Sequence, residues 1–409
     1  MRTPASEPSA TEPVFRSHLA PYTILSLLLW MICGGCSTSA DLPAPAADSI
    51  NFGHPDSVLF WSPDQQLASF RNYDRIFETR RVPASDHPLE LPRRLRDLSR
   101  RRYEVDGDTF DLQEFKEHNH VVGLLAIKDG AIVLEEYARG NTAATQWVSY
   151  SVAKSVVSLL LGAAIRDGYI TGVDDPVTDY LPLLTGTSYE DVTIRDALRM
   201  SSGVAWNEDY RDPESDVSKE IGLTALERLR YLSAHPRVAE PGERFNYNTG
   251  ETHLVGSLVR AAIGNNLATY LATKIWEPFG MESDANWRLV EPGGAEHGGC
   301  CISATLRDYG RIGLFALSGG VLPDGRRVLP QGWMDESTTP SPANDGYGYL
   351  WWLREGGVYN ALGIFGQAIS IDPAENLVIV THSVWPRATG SDFSAHRGAF
   401  FAALTLALR

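Results

Sequence analysis

At 409 residues, with 43% hydrophobic and 21% charged side chains, the chain can hold one large domain or two, and its composition is globular rather than disordered or repetitive. A formal net charge of −15 argues against nucleic acid or an anionic membrane surface as the main partner. Cys33, Cys36, Cys300 and Cys301 form neither a disulfide framework nor a spaced zinc set. The adjacent Cys300 and Cys301 read as two buried thiols, because a bridge between neighbours needs a strained ring.

The first feature in chain order is the apolar run Thr23–Ile32, too short to span a bilayer comfortably, preceded by Arg2, Arg16 and His18. Gly34-Gly35-Cys36 follows. Residues 1–36 resemble a bacterial lipoprotein signal peptide, which implies export, acylation of Cys36 and a lipid anchor on the periplasmic side of a membrane. A short uncleaved anchor is the alternative. Residues 37–57, rich in Pro and Ala, read as a tether.

Residues 58–167 begin with Phe60, Trp61, Phe70 and Phe77 as packing anchors for an N-terminal helix. Val121–Lys128 and Ala131–Tyr137, joined by Asp129-Gly130, read as a hairpin with the favoured two-residue turn. Two strands therefore precede the apolar helix that starts near Ser151 and ends at Asp167-Gly168. Residues 168–285 read as a helical insert. Val192–Met200 has Thr193 as its cap and Gly203 beyond its end, and Thr224–Ser233 and Thr252–Ile263 carry further helical patterns. In residues 286–409 strand signals return at Gly348–Leu353, Gln367–Ile371 and Leu377–His382, before a closing helix over Phe393–Leu408. Two early strands and three late ones imply one antiparallel sheet built from both chain ends. The fold class is α/β in the broad sense (α+β), with helices flanking that sheet.

Three stretches carry candidate chemistry. Ser151-Val152-Ala153-Lys154 places hydroxyl and amine on one face of a helix, at its mouth, among free backbone N–H groups and the positive end of the dipole. A neutral amine there can take the hydroxyl proton, which is the logic of an S-x-x-K nucleophile. Pro241–Gly250 presents Tyr247 on a turn before a helix; a nearby lysine cation would ease ionisation of its phenol. A packed loop tyrosine is the alternative. In Asn360–Gln367, Gly363 permits close backbone approach of a ligand, and the Ile364 N–H could pair with that of Ser151 as an oxyanion hole. A plain edge strand with a bulge is the alternative. His118-Asn119-His120 has metal-like spacing but no third ligand nearby, so it reads as a solvated loop; no metal or cofactor is expected. His253 and His382 read as packed or surface residues, and Trp351-Trp352 as split between core and cleft wall.

This order of motifs resembles the serine β-lactamase and penicillin-binding superfamily. Within it the chain is most similar to the class C-like serine hydrolases that include 6-aminohexanoate-dimer (nylon oligomer) hydrolase and related esterases. The resemblance runs from Val58 to the end and includes Thr193–Val204, Phe245–Thr252 and Ile364–Gln367. It implies an α/β domain and a helical domain with the site between them. It also implies Ser151 as nucleophile, Lys154 as its proton partner, Tyr247 as acid/base toward the leaving group, and Tyr210 as a loop tyrosine that contacts substrate. Two positions depart from the family pattern. Thr249 stands where Tyr-x-Asn has asparagine, and Ala361-Leu362-Gly363 replaces Lys-Thr-Gly or His-Thr-Gly. Alanine and leucine offer neither cation nor hydroxyl to a substrate carboxylate. The expectation is a serine hydrolase that opens a small-molecule amide or ester through an acyl-enzyme. The alternatives are a β-lactamase or D,D-peptidase, and a non-catalytic envelope binding protein.

Overall fold

The computed structural model describes residues 51–409. The apolar run, Cys36 and most of the tether lie outside the described residues. Ser62 opens the first helix, α1 (Pro63–Phe70): its hydroxyl accepts the Gln65 N–H while the Gln65 side chain accepts the Ser62 N–H. Then come β1 (Thr79–Val82), β2 (Arg102–Val105), β3 (Asp108–Asp111), α2 (Leu112–His118), β4 (Val121–Lys128), β5 (Ala131–Tyr137) and β6 (Trp147–Val148). The apolar helix α3 (Val152–Arg166) follows, and after it α4 (Ile194–Leu198), α5 (Asp216–Lys219), α6 (Ala225–Ser233), α7 (Thr249–Ile263), α8 (Leu267–Leu271) and α9 (Glu277–Phe279). The chain closes with β7 (Ala285–Arg288), β8 (Ile302–Ala304), α10 (Leu306–Leu317), α11 (Trp333–Ser337), β9 (Trp352–Leu353), β10 (Tyr359–Leu362), β11 (Ala368–Asp372), β12 (Leu377–Ser383) and α12 (Ser391–Leu408).

A six-stranded antiparallel sheet, in the order β5-β4-β12-β11-β10-β9, joins the two chain ends. Asp129 and Gly130 turn the β4–β5 hairpin with φ of 50° and 74°, the left-handed pair that matches strand twist. The sheet contains two early strands and four late ones, because Tyr359–Leu362 pairs as a strand as well. Six strands, not two, precede α3. β1 and β6 enter a second sheet, β1-β7-β8-β6, and β2 pairs only with β3. The Asp106-Gly107 turn of that hairpin (φ 53° and 90°) carries the same signal as Asp129-Gly130, but its strands Arg102–Val105 and Asp108–Asp111 are polar and lack apolar alternation.

Both faces of the large sheet are covered, which explains the nearly continuous apolar runs of β4 and β12. Leu125, Ile127, Val378 and Val380 face a core shared with α3 and α10, while Leu124, Ala126, Leu377 and Ile379 face α12. Helix α10 sits unusually near the sheet. A Cβ on Gly310 would fall 2.6 Å from Ile127 Cδ1, and one on Gly313 would fall 2.5 Å from Val378 Cγ1. On the opposite face the Phe115 ring stacks on Phe400 at 3.9 Å.

Three local expectations are corrected. Phe60 is 48% exposed and anchors nothing, whereas Trp61, Phe70 and Phe77 are buried with Tyr73, Tyr150 and Phe365. His118 and Asn119 form no solvated loop: the His118 ring stacks on His396 at 3.8 Å, and Asn119 donates to the Phe393 carbonyl. Helix α4 stops at Leu198, short of Met200, because Met200 turns the chain with φ +55°. Its cap is Thr193, with Asp196 completing a capping box.

Replacing Gly313 with valine should destabilise the protein by about 1–3 kcal/mol in urea unfolding, because overpacking against Val378 outweighs the small gain in helix propensity. A variant as stable as wild type would show that α10 can move off the sheet.

Candidate active site

Ser151 occupies the N-cap of α3 with φ −68° and ψ −3°, and its side chain makes no capping hydrogen bond. The hydroxyl is therefore not spent on the helix and remains free for another partner. The residue before it, Tyr150, is buried and holds φ +45°, a conformation that a bulky residue adopts only under constraint. The constraint is visible: the Tyr150 ring packs 5.1 Å from Phe70 and 5.2 Å from Phe365.

Lys154 is 2% exposed. Its Nζ donates to Ser151 Oγ at 3.2 Å, to Thr249 Oγ1 at 3.0 Å and to the Gly299 carbonyl at 2.7 Å, filling the three donor positions of an ammonium group. Burial lowers its pKa to about 8; the negative charges of Glu208 and Glu220 act in the opposite direction. Glu208 is the charged end of this network. Its carboxylate accepts the Tyr210 hydroxyl at 2.7 Å, the Thr249 N–H at 3.0 Å, the Thr249 hydroxyl and the Trp206 indole N–H. Thr249 thus links Glu208 to Lys154. The position that reads in the sequence as a missing asparagine carries a hydroxyl relay instead.

Tyr247 precedes α7 directly. Its ring lies 5.4 Å from Lys154 Nζ and is stacked on Trp352 at 5.4 Å. Its phenol is pushed up, first by burial and then by Glu208, with its contact to Ser151 acting the other way. The lysine therefore does not ease its ionisation, as the sequence suggests; Tyr247 is held protonated. Tyr210 reaches the same cavity but turns its hydroxyl to Glu208. Trp351 is fully buried, whereas Trp352 lines the cavity.

Gly363 admits backbone, though not that of a ligand: a Cβ there would fall 2.3 Å from the Ser149 carbonyl oxygen and 3.2 Å from the Ser151 nitrogen. This close approach sets the loop Gly363–Ile364 beside Ser151. Neither the Ser151 nor the Ile364 N–H donates to another described group, and both residues line the cleft. The cavity measures about 830 Å³ and is also lined by four arginines, Arg211, Arg354, Arg387 and Arg397.

Ser151, Lys154, Tyr247, Tyr210, Gly363 and Ile364, named from the sequence, are thus brought together. Glu208, Thr249 and Gly299 were not expected as partners. Glu208 stands two residues before Tyr210, and that spacing was the only local hint. Behind Lys154 lies a buried ion pair, Arg228 Nη1 to Glu220 Oε1 at 2.9 Å, with the His297 Nε2 3.2 Å from Arg228. His253 and His382 are packed inside, and burial lowers both to about 3. Cys300 and Cys301 are joined as a disulfide between neighbours rather than standing as two thiols; Cys301 turns with φ +76° and its N–H donates to the Tyr150 carbonyl.

Known proteins place this arrangement. The beta-lactamase family model matches residues 111–404. The 6-aminohexanoate-dimer hydrolase of Paenarthrobacter ureafaciens is 30% identical over 301 residues, covering 68% of this chain and 76% of that protein. A Bacillus anthracis structure named after 6-aminohexanoate-dimer hydrolase superposes with a TM-score of 0.78 at 21% identity, over 89% of this chain and 99% of that one. EstCE1, a hydrolase with promiscuous acyltransferase activity, superposes with a TM-score of 0.56 at 16% identity, over 71% and 96% of the two chains. The fold and these matches define a hydrolase with the β-lactamase/transpeptidase-like architecture. The chain belongs to the β-lactamase family.

Truncating Glu220 to alanine should cost about 3–5 kcal/mol of stability in urea unfolding, because Arg228 is then left charged and unpaired in the interior. A loss below about 1 kcal/mol would mean that water or another group reaches Arg228.

Proposed function

We propose that the protein is a serine hydrolase that cleaves an amide or ester bond through an acyl-enzyme on Ser151. The observation that carries this reading is the 3.2 Å contact between Ser151 Oγ and a buried Lys154 amine whose pKa is brought down to about 8. From that pKa, about a tenth of the amine is neutral at pH 7 and able to accept a proton. Lys154 takes the Ser151 proton as Oγ attacks the carbonyl carbon. The Ser151 and Ile364 N–H groups receive the developing oxyanion. Tyr247, held protonated, is suited to donate toward the leaving group, and the proton on Lys154 replenishes it. Water then enters, the same groups act in reverse, and the acid product leaves with Ser151 restored.

The relatives named for 6-aminohexanoate-dimer hydrolysis favour amides, and EstCE1 favours esters. p-Nitrophenyl butyrate and the 6-aminohexanoate dimer are therefore the first substrates to try. Ser151→Ala should lower turnover of either by at least about 10³-fold. Wild-type turnover in that variant would remove Ser151 from the mechanism. Intact-mass measurement with a fluorophosphonate probe separates this reading from a non-catalytic binding protein, since only an activated Ser151 is expected to gain the adduct.

The pH dependence follows from Lys154. Its neutral form is the base, so kcat/KM should rise with pH through an inflection about 8. Glu208 favours the charged lysine, so Glu208→Gln should move that inflection to lower pH. A shift upward, or none, would place Glu208 outside the electrostatics of the base.

For the N-terminal region we propose export and lipid attachment at Cys36, as the sequence pattern suggests. Metabolic labelling with an alkyne palmitate should mark the wild-type protein but not Cys36→Ala.

A further inference from the structure

Two of the four arginines in the cleft are matched. Arg211 Nε lies 3.0 Å from Asp209, and Arg387 Nη2 lies 2.7 Å from Asp392. Arg354 and Arg397 pair with no carboxylate among the described residues. Arg354 is exposed and spends one Nη1 hydrogen bond on the Leu353 carbonyl at 3.2 Å. Arg397 is only 8% exposed, and its Nη1 is enclosed without an acceptor. Its guanidinium lies 4.9 Å from the centre of the Trp385 ring, which orients the group but supplies no hydrogen-bond acceptor.

A buried guanidinium with an unfilled donor is costly unless something completes it. Burial, together with the like charge of Arg354, lowers Arg397 to about 10, so it stays charged at neutral pH. An anion between the two guanidiniums would satisfy the open donor and relieve the repulsion at once. Both residues line the cavity that holds Ser151 and Tyr247. Both also line an adjoining cavity of about 500 Å³, with Leu362 and Ser394 at the junction. They therefore stand along the path of a ligand whose reactive bond is at Ser151.

We infer that Arg397 and Arg354 form a carboxylate-binding subsite, so that the substrates opened at Ser151 are amides or esters carrying a carboxylate at one end. This rests on the serine hydrolase reading above. The planar fork of Arg397 suits the two oxygens of a carboxylate, and Arg354 adds a second, mobile cation at the rim. Ala361 and Leu362 do remove the cation and hydroxyl from β10. The positive charge is supplied instead from the end of β9 and from α12, so the strand alone misreports the cleft as neutral.

The test compares matched ester pairs that differ by one charge. On the acyl side the pair is the p-nitrophenyl monoester of adipic acid and its methyl-capped counterpart. On the leaving-group side it is 4-carboxyphenyl butyrate and its methyl ester. The subsite predicts that wild-type kcat/KM favours the anionic member of at least one pair by about tenfold or more, after correction for leaving-group reactivity measured with hydroxide. The preference should fall to within about twofold in Arg397→Gln and shrink in Arg354→Gln, whose exposed side chain can change without disturbing the fold; Arg397→Lys should keep part of it. No anionic preference in wild type, or a preference that survives in both glutamine variants, overturns the subsite. Fluorophosphonate labelling of wild-type Ser151 keeps the two readings apart. Labelling without anionic preference rejects the subsite alone, and absence of labelling rejects the hydrolase reading on which it stands.

Discussion

Burying one ammonium group is the constraint around which this site is built. Lys154 is inaccessible to water, so each of its three donors must find an acceptor inside the protein. One acceptor is local, Ser151 on the previous turn of α3. The other two come from far along the chain, Thr249 at the start of α7 and Gly299 in the loop before β8. Three separate segments are therefore tied to a single nitrogen. The desolvation that makes the arrangement demanding is also what lowers the lysine pKa toward neutrality. Stability and reactivity come from the same burial.

Several strained or buried features are explained by that demand. Tyr150, Cys301 and Phe365 all hold positive φ, and they touch one another: the Cys301 N–H meets the Tyr150 carbonyl, and the rings of Tyr150 and Phe365 pack together. Single residues of this kind cost about 1–3 kcal/mol each and persist only where their surroundings over-determine them. Here the surroundings are the aromatic cluster of Trp61, Phe70, Tyr73 and Phe77, contributed by the segment ahead of β1. That segment looks peripheral by sequence position, yet it forms the floor under the nucleophile. The Glu220–Arg228 pair closes the other side of the lysine and adds a negative charge that keeps its pKa from falling further.

What the sequence disclosed was local. Helices α3, α6, α7 and α12 have apolar periodicity or capping residues within their own span, and the Asp129-Gly130 hairpin has its turn chemistry in two residues. The same holds for Ser151 and Lys154, which sit three positions apart. β1, β2, β3 and β6 were not legible because they are short, polar or both, and β1 and β6 gain their pairing from β7 and β8. Gly299 was illegible for the same reason on a larger scale: it meets Lys154 across 145 residues and contributes only a carbonyl, which has no sequence signature. Thr249 shows a different limit. Compared with a family pattern it is a loss, but in three dimensions its hydroxyl bridges Lys154 and Glu208. A motif departure reports that a role has changed, and only the neighbours say to what.

The cleft is electrostatically divided, and this bears on what can react there. Glu208 lies beside the lysine and tyrosine, where its charge holds Lys154 and Tyr247 toward their protonated forms. Arg354 and Arg397 lie beyond Ile364 and Leu362, in the part shared with the second cavity. A substrate with its anion toward the arginines avoids repulsion from Glu208 and gains attraction at the other end; turned around, it meets both penalties. Over a cavity of about 830 Å³, with low-dielectric walls, such a gradient orients a ligand before any contact with Ser151 is made. The protein as a whole is acidic, with a net charge of −15, so an anionic substrate is repelled at long range and attracted only inside the cleft. Selectivity for such a substrate would therefore come from binding within the cleft rather than from fast capture.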